Sequence, residues 1–318
     1  MKKILFIDHT HPLLVQKLEQ VGFTCDLLQG IDYQKAFSII DQYCGLLIRS
    51  GIIIDKEFLL KASSLKFIGR VGSGLESIDL EFAKCKNITC FNSPEGNRDA
   101  VGEHSVGLLL SLFNKICIAG NQIKQGEWLR EPNRGTEIKG KTIGIIGYGN
   151  MGSAFARKLS GFEANVISYD KYKSNYSDSF TKEVTLEEIY THTDILSIHV
   201  PLTADTRYMV DGDFLKQFKK NIYFINTARG LVVKTVDLVA ALSSGKVTGA
   251  ALDVIEYEES SFDRMKLENM PDDFHFLCKH PNVVLTPHIA GYTHESKIKL
   301  AEVLADKIIS FSKKDGII

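Results

Sequence analysis

The sequence predicts an α/β protein built from two doubly wound parallel-sheet domains with a cleft between them. Three observations carry this. Short apolar runs alternate with amphipathic stretches along nearly the whole chain, the rhythm of parallel strands joined by crossover helices. Glycines 147, 149 and 152 stand as G-x-G-x-x-G between the apolar run 142–146 and a stretch with helical spacing. At 318 residues the chain is long enough for two domains, each with its own core.

The elements follow in order. In the first hundred residues, strands are expected at 4–7, 23–28, 45–48, 66–68 and 88–91, with helical stretches such as 12–21 and 56–62 between them. This part has no nucleotide fingerprint. Residues 100–120 read as one long helix, apolar on most faces, which suits burial between domains or between subunits. A polar arm, 125–140, follows with the only tryptophan, Trp128, and with Arg130 and Arg134. The second series has strands at 142–146, 165–169, 195–199, 222–226, 249–253 and 283–286, and a last helix near 295–312. There is no internal repeat or low-complexity segment.

The glycine turn has a definite chemistry. Gly147 permits the tight turn, Gly149 removes a Cβ where a pyrophosphate must approach, and Gly152 lets the helix lie close to the strand. Free N–H groups at the helix start then face the phosphates. Asp170 closes the strand 165–169, 18 residues beyond Gly152, where a ribose-binding acid is expected. An acid there accepts from both ribose hydroxyls and repels a 2′-phosphate, so NAD is expected over NADP. Lys171 and Lys173 read as solvated charges.

Hydrophobic residues make up 44%, charged residues 24%, and the formal net charge is -1, which excludes any bulk bias towards nucleic acid or membrane. The first apolar run, 4–7, is too short for a signal-peptide core, and no run approaches the ~18 residues of a membrane span. Cys25, Cys44, Cys85, Cys90, Cys117 and Cys278 show no C-x-x-C or other metal-like pairing. They are expected to be reduced core thiols of a cytoplasmic protein without a metal site.

Four stretches fall where predicted strands end: HVPLT at 199–203, NTARG at 226–230, ALDVIEYE at 251–258 and TPHIAG at 286–291. Ligands of doubly wound sheets bind at such ends. Together with GRVGSGLESID at 69–79, VGEH at 101–104 and GTEIKGKTIGIIGYGNMG at 135–152, they resemble the D-isomer-specific 2-hydroxyacid dehydrogenase family, most closely its phosphoglycerate dehydrogenase branch. The resemblance implies a flavodoxin-like substrate-binding domain from residues 1–98 and 291–318 and a Rossmann NAD-binding domain at 99–290. The family's catalytic Arg maps to Arg229 and its His to His288. Its Glu, the second acid of D-V-x-x-x-E, maps to Glu258 rather than Glu256. The family has Pro directly after that Glu; here Glu259 follows, and a longer segment, 259–280, precedes the final strand.

By the same resemblance, Tyr148, Asn150, Met151, His199, Val200, Pro201, Thr206, Thr227, Ala228, Asp253 and Gly291 join the glycines and Asp170 as the cofactor-binding set. Asp253 would meet the nicotinamide carboxamide. Ser73 and Gly74, in the loop GSG, would hold the substrate carboxylate through backbone N–H groups.

The roles follow from what the reaction needs. Reducing a 2-oxo acid requires a hydride donor, a proton for the carbonyl oxygen and a cation for the carboxylate. His288 suits the proton, because histidine gives and takes protons near neutral pH. A carboxylate on the other ring nitrogen fixes the tautomer, the task assigned to Glu258. The Arg229 fork matches a carboxylate and polarises the adjacent carbonyl. Arg49 and Arg70 suit a phosphate at the far end of the substrate, which makes 3-phosphoglycerate and 3-phosphohydroxypyruvate, a pair of serine biosynthesis, the leading substrates. Should Arg70 instead pair with Glu76 or Asp79, and Arg49 with a surface acid, hydroxypyruvate or glyoxylate becomes the better substrate.

A two-fold homodimer is expected from the apolar helix and from the arm, which resembles a family segment contacting the neighbouring subunit. The chain ends just after the last helix, so a regulatory domain is not expected. The C-terminal-binding-protein co-repressors share the fold and let NAD gate their partner binding, but no interaction tail resembling theirs is present.

Overall fold

Runs of residues too short for helices form the strands, aliphatic and fully buried in the middle of each sheet and partly exposed towards its edges, and every strand pairing among the described residues is parallel. The structure is a computed structural model and describes residues 2–49, 51–258 and 270–318. The chain divides into two units, Met1–Asn97 with Tyr292–Ile318, and Arg98–Gly291.

The first unit runs β1 (Lys3–Phe6), α1 (Pro12–Gln20), β2 (Thr24–Leu27), α2 (Tyr33–Ile39), β3 (Gly45–Ile48), α3 (Lys56–Lys61), β4 (Phe67–Arg70), α4 (Leu80–Cys85) and β5 (Thr89–Phe91). Its sheet order is β2-β1-β3-β4-β5, the flavodoxin order. Asp32, Asp55 and Asp79 start α2, α3 and α4 by accepting from the amides of Lys35, Phe58 and Phe82. The C-terminal helix α12 (His294–Lys314) returns to this unit and buries Ala301, Leu304, Ala305 and Ile308 among Ile4, Phe6, Leu47 and Phe67. Gly69 makes room for it, since a Cβ there would stand 2.7 Å from a methyl of Leu47 and 3.1 Å from one of Ile308.

The second unit opens with α5 (Arg98–Phe113) and α6 (Ile116–Lys124). It continues β6 (Thr142–Ile146), α7 (Asn150–Lys158), β7 (Asn165–Tyr169), β8 (Lys182–Glu183), α8 (Leu186–His192), β9 (Ile195–Ile198), α9 (Gly212–Gln217), β10 (Ile222–Asn226), α10 (Thr235–Ser243), β11 (Val247–Leu252), α11 (Asp272–Lys279) and β12 (Val283–Leu285). The order β12-β11-β10-β9-β6-β7-β8 reverses between β6 and β9, which places the topological switch point at their carboxyl ends. One face of the sheet packs Leu196, Ile198, Phe218 and Phe224; the other packs Leu109, Phe113, Ile143, Ile145 and Phe155.

Three expectations are corrected. Residues 100–120 are not one helix: Lys115 adopts a left-handed backbone, φ 52°, which no α-helix can pass through, and α5 and α6 meet at a 62° bend. Only α5 is buried; α6 has no buried residue. The cysteines are not all core thiols, because Cys85, Cys117 and Cys278 are exposed while Cys44 is buried and Cys25 and Cys90 are half-buried; all six are free. Burial pushes the Cys25 thiol up to about 12 and the Cys90 thiol up to about 11. The short β8 and the helix α11 have no counterpart in the sequence reading. α11 lies in the long segment 259–280, of which residues 259–269 fall outside the described residues.

Candidate functional site

The glycine turn sits at the switch point between β6 and α7. Gly147 has φ 93°, and a Cβ on it would overlap the carbonyl of His199; a Cβ on Gly152 would overlap the carbonyl of Gly147. The fold itself demands these two glycines. Gly149 is different, because a Cβ there would meet no protein atom within 4 Å. Gly149 also caps α7 without any side-chain hydrogen bond, so the first amides of the helix, at Asn150 and Met151, are left for a ligand. Bare backbone, uncapped amides and open space together fit a dinucleotide pyrophosphate.

Asp170 follows β7 and braces this turn: Oδ2 accepts from the amide of Tyr148 and Oδ1 from that of Tyr172, each at 2.9 Å. Lys171 and Lys173 are not simply solvated. Lys171 pairs with Asp205 at 2.9 Å, and Lys173 donates to the carbonyl of Tyr148 at 2.6 Å. The Tyr148 side chain is engaged within the protein, donating to Asp178 at 2.8 Å and stacking on Tyr176.

Beyond β9, His199 lies beneath the turn. Its Nε2 meets the Ser197 hydroxyl at 2.9 Å, and burial pushes its imidazole down to about 3, so it is neutral at ordinary pH. Val200 and the exposed Pro201 begin the following loop, which Thr206 closes by donating to the Pro201 carbonyl at 2.6 Å. After β10, Thr227 and Ala228 are buried. The Thr227 hydroxyl meets that of Ser105, on α5, at 3.2 Å, and the Ala228 amide donates to Asn226 at 3.0 Å.

The strand ends then bring the chemistry-bearing residues into place. Arg229 donates from Nη1 to the Ala228 carbonyl at 2.7 Å, while the Arg229 carbonyl accepts from Asn226 at 3.1 Å. Glu258 Oε2 lies 2.7 Å from His288 Nδ1, and Oε1 accepts from the Ile255 amide at 2.6 Å. Glu256 has other partners: its oxygens accept from the Tyr208 hydroxyl at 2.7 Å and the Thr235 amide at 2.8 Å. Only the second acid therefore faces the histidine. With Nδ1 against Glu258, Nε2 is the ring nitrogen directed away from it.

His288 has a left-handed backbone, φ 55°, a strained conformation for a residue with a Cβ. Asp253 holds it there. The Asp253 carbonyl accepts from the His288 amide at 2.8 Å, and its carboxylate, only 1% exposed, accepts from the Thr286 hydroxyl at 2.6 Å and the amides of Ile289 and Ala290 at 2.9 and 2.8 Å. Burial pushes this carboxyl up, but the bonds from His104, Thr286 and the two amides outweigh it and hold the group below the usual carboxylate range. Asp253, expected from the family resemblance at a carboxamide, is in this structure the hub of the loop that carries His288. Gly291 ends that loop and the unit.

In the first unit, Arg49 follows β3 and Arg70 ends β4, with Ile48 and Arg70 in register. Asp8 accepts from the Arg49 amide at 2.6 Å, and Arg70 Nε donates to the Arg49 carbonyl at 3.0 Å. The Arg70 guanidinium lies where a Cβ of Gly72 would be, and Gly72 has φ 154°. Asn92 donates to the Ser73 carbonyl at 2.6 Å, and the Ser73 hydroxyl donates to Asn97 at 2.8 Å. Among the described residues, the amides of Ser73 and Gly74 meet no acceptor, as an anion-binding loop requires. Asp79 serves as the cap of α4, and Arg49 makes no ion pair among the described residues.

Comparison with known proteins settles the family. The model of the D-isomer specific 2-hydroxyacid dehydrogenase NAD-binding domain matches residues 106–290. The chain belongs to the D-isomer specific 2-hydroxyacid dehydrogenase family. It is 31% identical to the D-3-phosphoglycerate dehydrogenase of Archaeoglobus fulgidus over 98% of its own length, but spans only 57% of that protein. It is 32% identical to the hydroxypyruvate reductase of Thermotoga maritima, covering 95% of this chain and 94% of that one. The crystal structure of the D-lactate dehydrogenase from Aquifex aeolicus, complexed with NAD and lactic acid, superimposes with a TM-score of 0.82 at 27% identity, covering 98% and 96% of the two chains.

This member of the 2-hydroxyacid dehydrogenase family thus carries the family's NAD-binding domain. The residue that sequence reasoning left without a role is His104, on α5, whose Nε2 lies 3.1 Å from the Thr286 hydroxyl and 3.4 Å from the Asp253 carboxylate. Its only signal was its place in the stretch VGEH.

Proposed function

We propose that this chain interconverts a D-2-hydroxy acid and its 2-oxo acid with NAD, most favourably 3-phosphoglycerate and 3-phosphohydroxypyruvate. The observation that carries the reading is the 2.7 Å contact between His288 and Glu258, with the second oxygen of Glu258 anchored on the Ile255 amide. A carboxylate held in this way fixes the Nδ1–H tautomer, so Nε2 is the atom that gives a proton to the substrate oxygen during reduction and takes it back during oxidation. Arg229 binds the substrate carboxylate and polarises the adjacent carbonyl. The amides of Asn150 and Met151 hold the pyrophosphate, and Asp170 holds the ribose. The reduced cofactor, when bound, supplies the hydride.

Arg49 and Arg70 supply the phosphate preference in this reading, supported by the Arg49 side chain having no ion-pair partner among the described residues. The full-length likeness to a hydroxypyruvate reductase supports the unphosphorylated substrates instead. A substrate panel decides between them. With NADH, 3-phosphohydroxypyruvate is expected to give a kcat/KM about 100-fold above hydroxypyruvate and glyoxylate, and Arg49→Ala is expected to remove most of that margin through KM. Equal kcat/KM for the three acids would remove the phosphate assignment and leave the reductase reading.

The same proposal includes a homodimer. α6 buries none of its residues, Ile116 and Ile123 are more than half exposed, and Trp128, on the arm that follows, is 80% exposed. Such a patch is what a self-associating surface offers. Sedimentation at micromolar concentration is expected to show a dimer, and Trp128→Ser with Ile123→Ser to shift it towards monomer. A wild-type monomer would dispose of the assembly.

A further inference from the structure

We propose that His104 is a positioning residue that fixes the loop carrying His288, and that α5 is the common mount of the two loops bearing His288 and Arg229. The inference rests on the acid/base reading of His288 and extends it to a residue that no part of that reading uses.

The hydrogen bonds assign the proton on His104. Asp253 is a carboxylate and only accepts, so the single proton of the Thr286 hydroxyl is directed to Asp253 Oδ1 at 2.6 Å. The Thr286 oxygen can then only accept at its 3.1 Å contact with His104 Nε2. His104 therefore carries a hydrogen on Nε2, and that hydrogen also lies towards the Asp253 carboxylate, 3.4 Å away. One N–H from α5 thus ties together the two residues on which the loop hangs.

The loop 286–290 is held largely by strand-end groups: the Thr286 amide donates to the Leu252 carbonyl at 3.0 Å, and His288 Nδ1 meets Glu258 at 2.7 Å. Asp253 takes the amides of His288, Ile289 and Ala290, all from the end of β11. His104 is the hold that comes from a helix. A left-handed histidine persists only where its surroundings over-determine it, so removing one hold releases strain exactly where the ring must be aimed. The neighbouring residue repeats the arrangement. Ser105 meets the Thr227 hydroxyl at 3.2 Å. Thr227 stands two residues before Arg229, as Thr286 stands two before His288. Adjacent side chains of one helix thus meet the corresponding hydroxyl of each loop.

The test compares His104→Leu, which removes the donor, with His104→Gln, which keeps one. Using the substrate that the wild-type protein turns over best, His104→Leu is expected to lower kcat by about 10-fold to 100-fold while KM and the NADH Kd stay within about two-fold. His104→Gln is expected to recover kcat to within about three-fold of wild type. In proton NMR, the low-field Nδ1–H signal of His288 against Glu258 is expected in wild type and in His104→Gln, and broadened or lost in His104→Leu.

An unchanged kcat and signal in His104→Leu, or His104→Gln as impaired as His104→Leu, would overturn the proposal. If His104→Leu does not fold, Thr286→Val removes the hydroxyl at nearly constant shape; a normal kcat and signal there overturn it equally. If the wild-type protein reduces no 2-oxo acid, the enzymatic reading fails, while the NMR comparison still decides whether His104 positions His288.

Discussion

His288→Asn is expected to lower kcat for 2-oxo acid reduction by about 10²-fold to 10⁴-fold, the usual loss on removing a positioned general acid, with NADH affinity little changed. Asparagine is the informative replacement because it tolerates the left-handed backbone, φ 55°, better than other residues with a Cβ. Loss of the proton donor is then separated from loss of the loop. Glu258→Gln tests the partner. An amide oxygen could accept from either the Ile255 amide or His288 Nδ1, but the amide nitrogen cannot accept from the other, so one bond of the pair becomes a clash of donors. A fall of about 10-fold to 10³-fold in kcat is expected. Single-turnover NADH oxidation measures both, and a His288→Asn enzyme within about three-fold of wild type would remove the mechanism.

The second large effect is a contrast between two glycines three residues apart. Gly152→Val pushes a side chain into the Gly147 carbonyl, which has no room to retreat without opening the turn, and is expected to cost about 1–3 kcal/mol of stability as well as cofactor binding. Gly149→Ala meets no protein atom within 4 Å, so the melting temperature is expected to stay near wild type. Its NADH Kd is nonetheless expected to rise about ten-fold or more, a loss of roughly 1.4 kcal/mol, because the added methyl occupies the approach of the pyrophosphate. Thermal unfolding and fluorescence titration read the two effects apart. An unchanged NADH Kd in Gly149→Ala would mean that the phosphates do not lie at this turn.

Much of the fold was legible because burial on both faces leaves parallel strands as plain aliphatic runs, and because the glycine turn marks which strand stands at the switch point. The break between α5 and α6 was not legible. Lys115 is neither glycine nor asparagine, so nothing in its side chain announces the left-handed backbone it adopts. β8 escaped for a different reason: at two residues, Lys182–Glu183, it is too short to show any periodicity.

At the site, strand ends could be located in advance, but partners could not. The family resemblance pointed to Glu258, and what distinguishes it from Glu256 physically is that Tyr208 and Thr235, distant in sequence, occupy both oxygens of Glu256. His104, Asp253 and Thr286 likewise meet only after the chain has folded. The lysines beside Asp170 read as solvated because nothing local announces that one reaches Asp205 and the other the turn itself.

The bracing of Asp170 has a consequence for how such a chain could change its cofactor. One lone pair on each oxygen is already taken by the amides of Tyr148 and Tyr172, so the carboxylate is orientationally frozen before any ribose arrives. The remaining lone pairs, one per oxygen, present a diol with a ready-made pair of acceptors, and little rotamer entropy is left to lose on binding. The same economy of parts limits adaptation. Exchanging the acid for a small neutral residue, the simplest step towards a 2′-phosphate, would also deprive the Tyr148 amide, and with it the glycine turn, of its brace. Lys173 would not be released to meet the new charge, since it is tied to the carbonyl of that same tyrosine. On the proposed role of Asp170, cofactor choice in this chain is coupled to the integrity of the glycine turn, and altering it calls for several concerted substitutions.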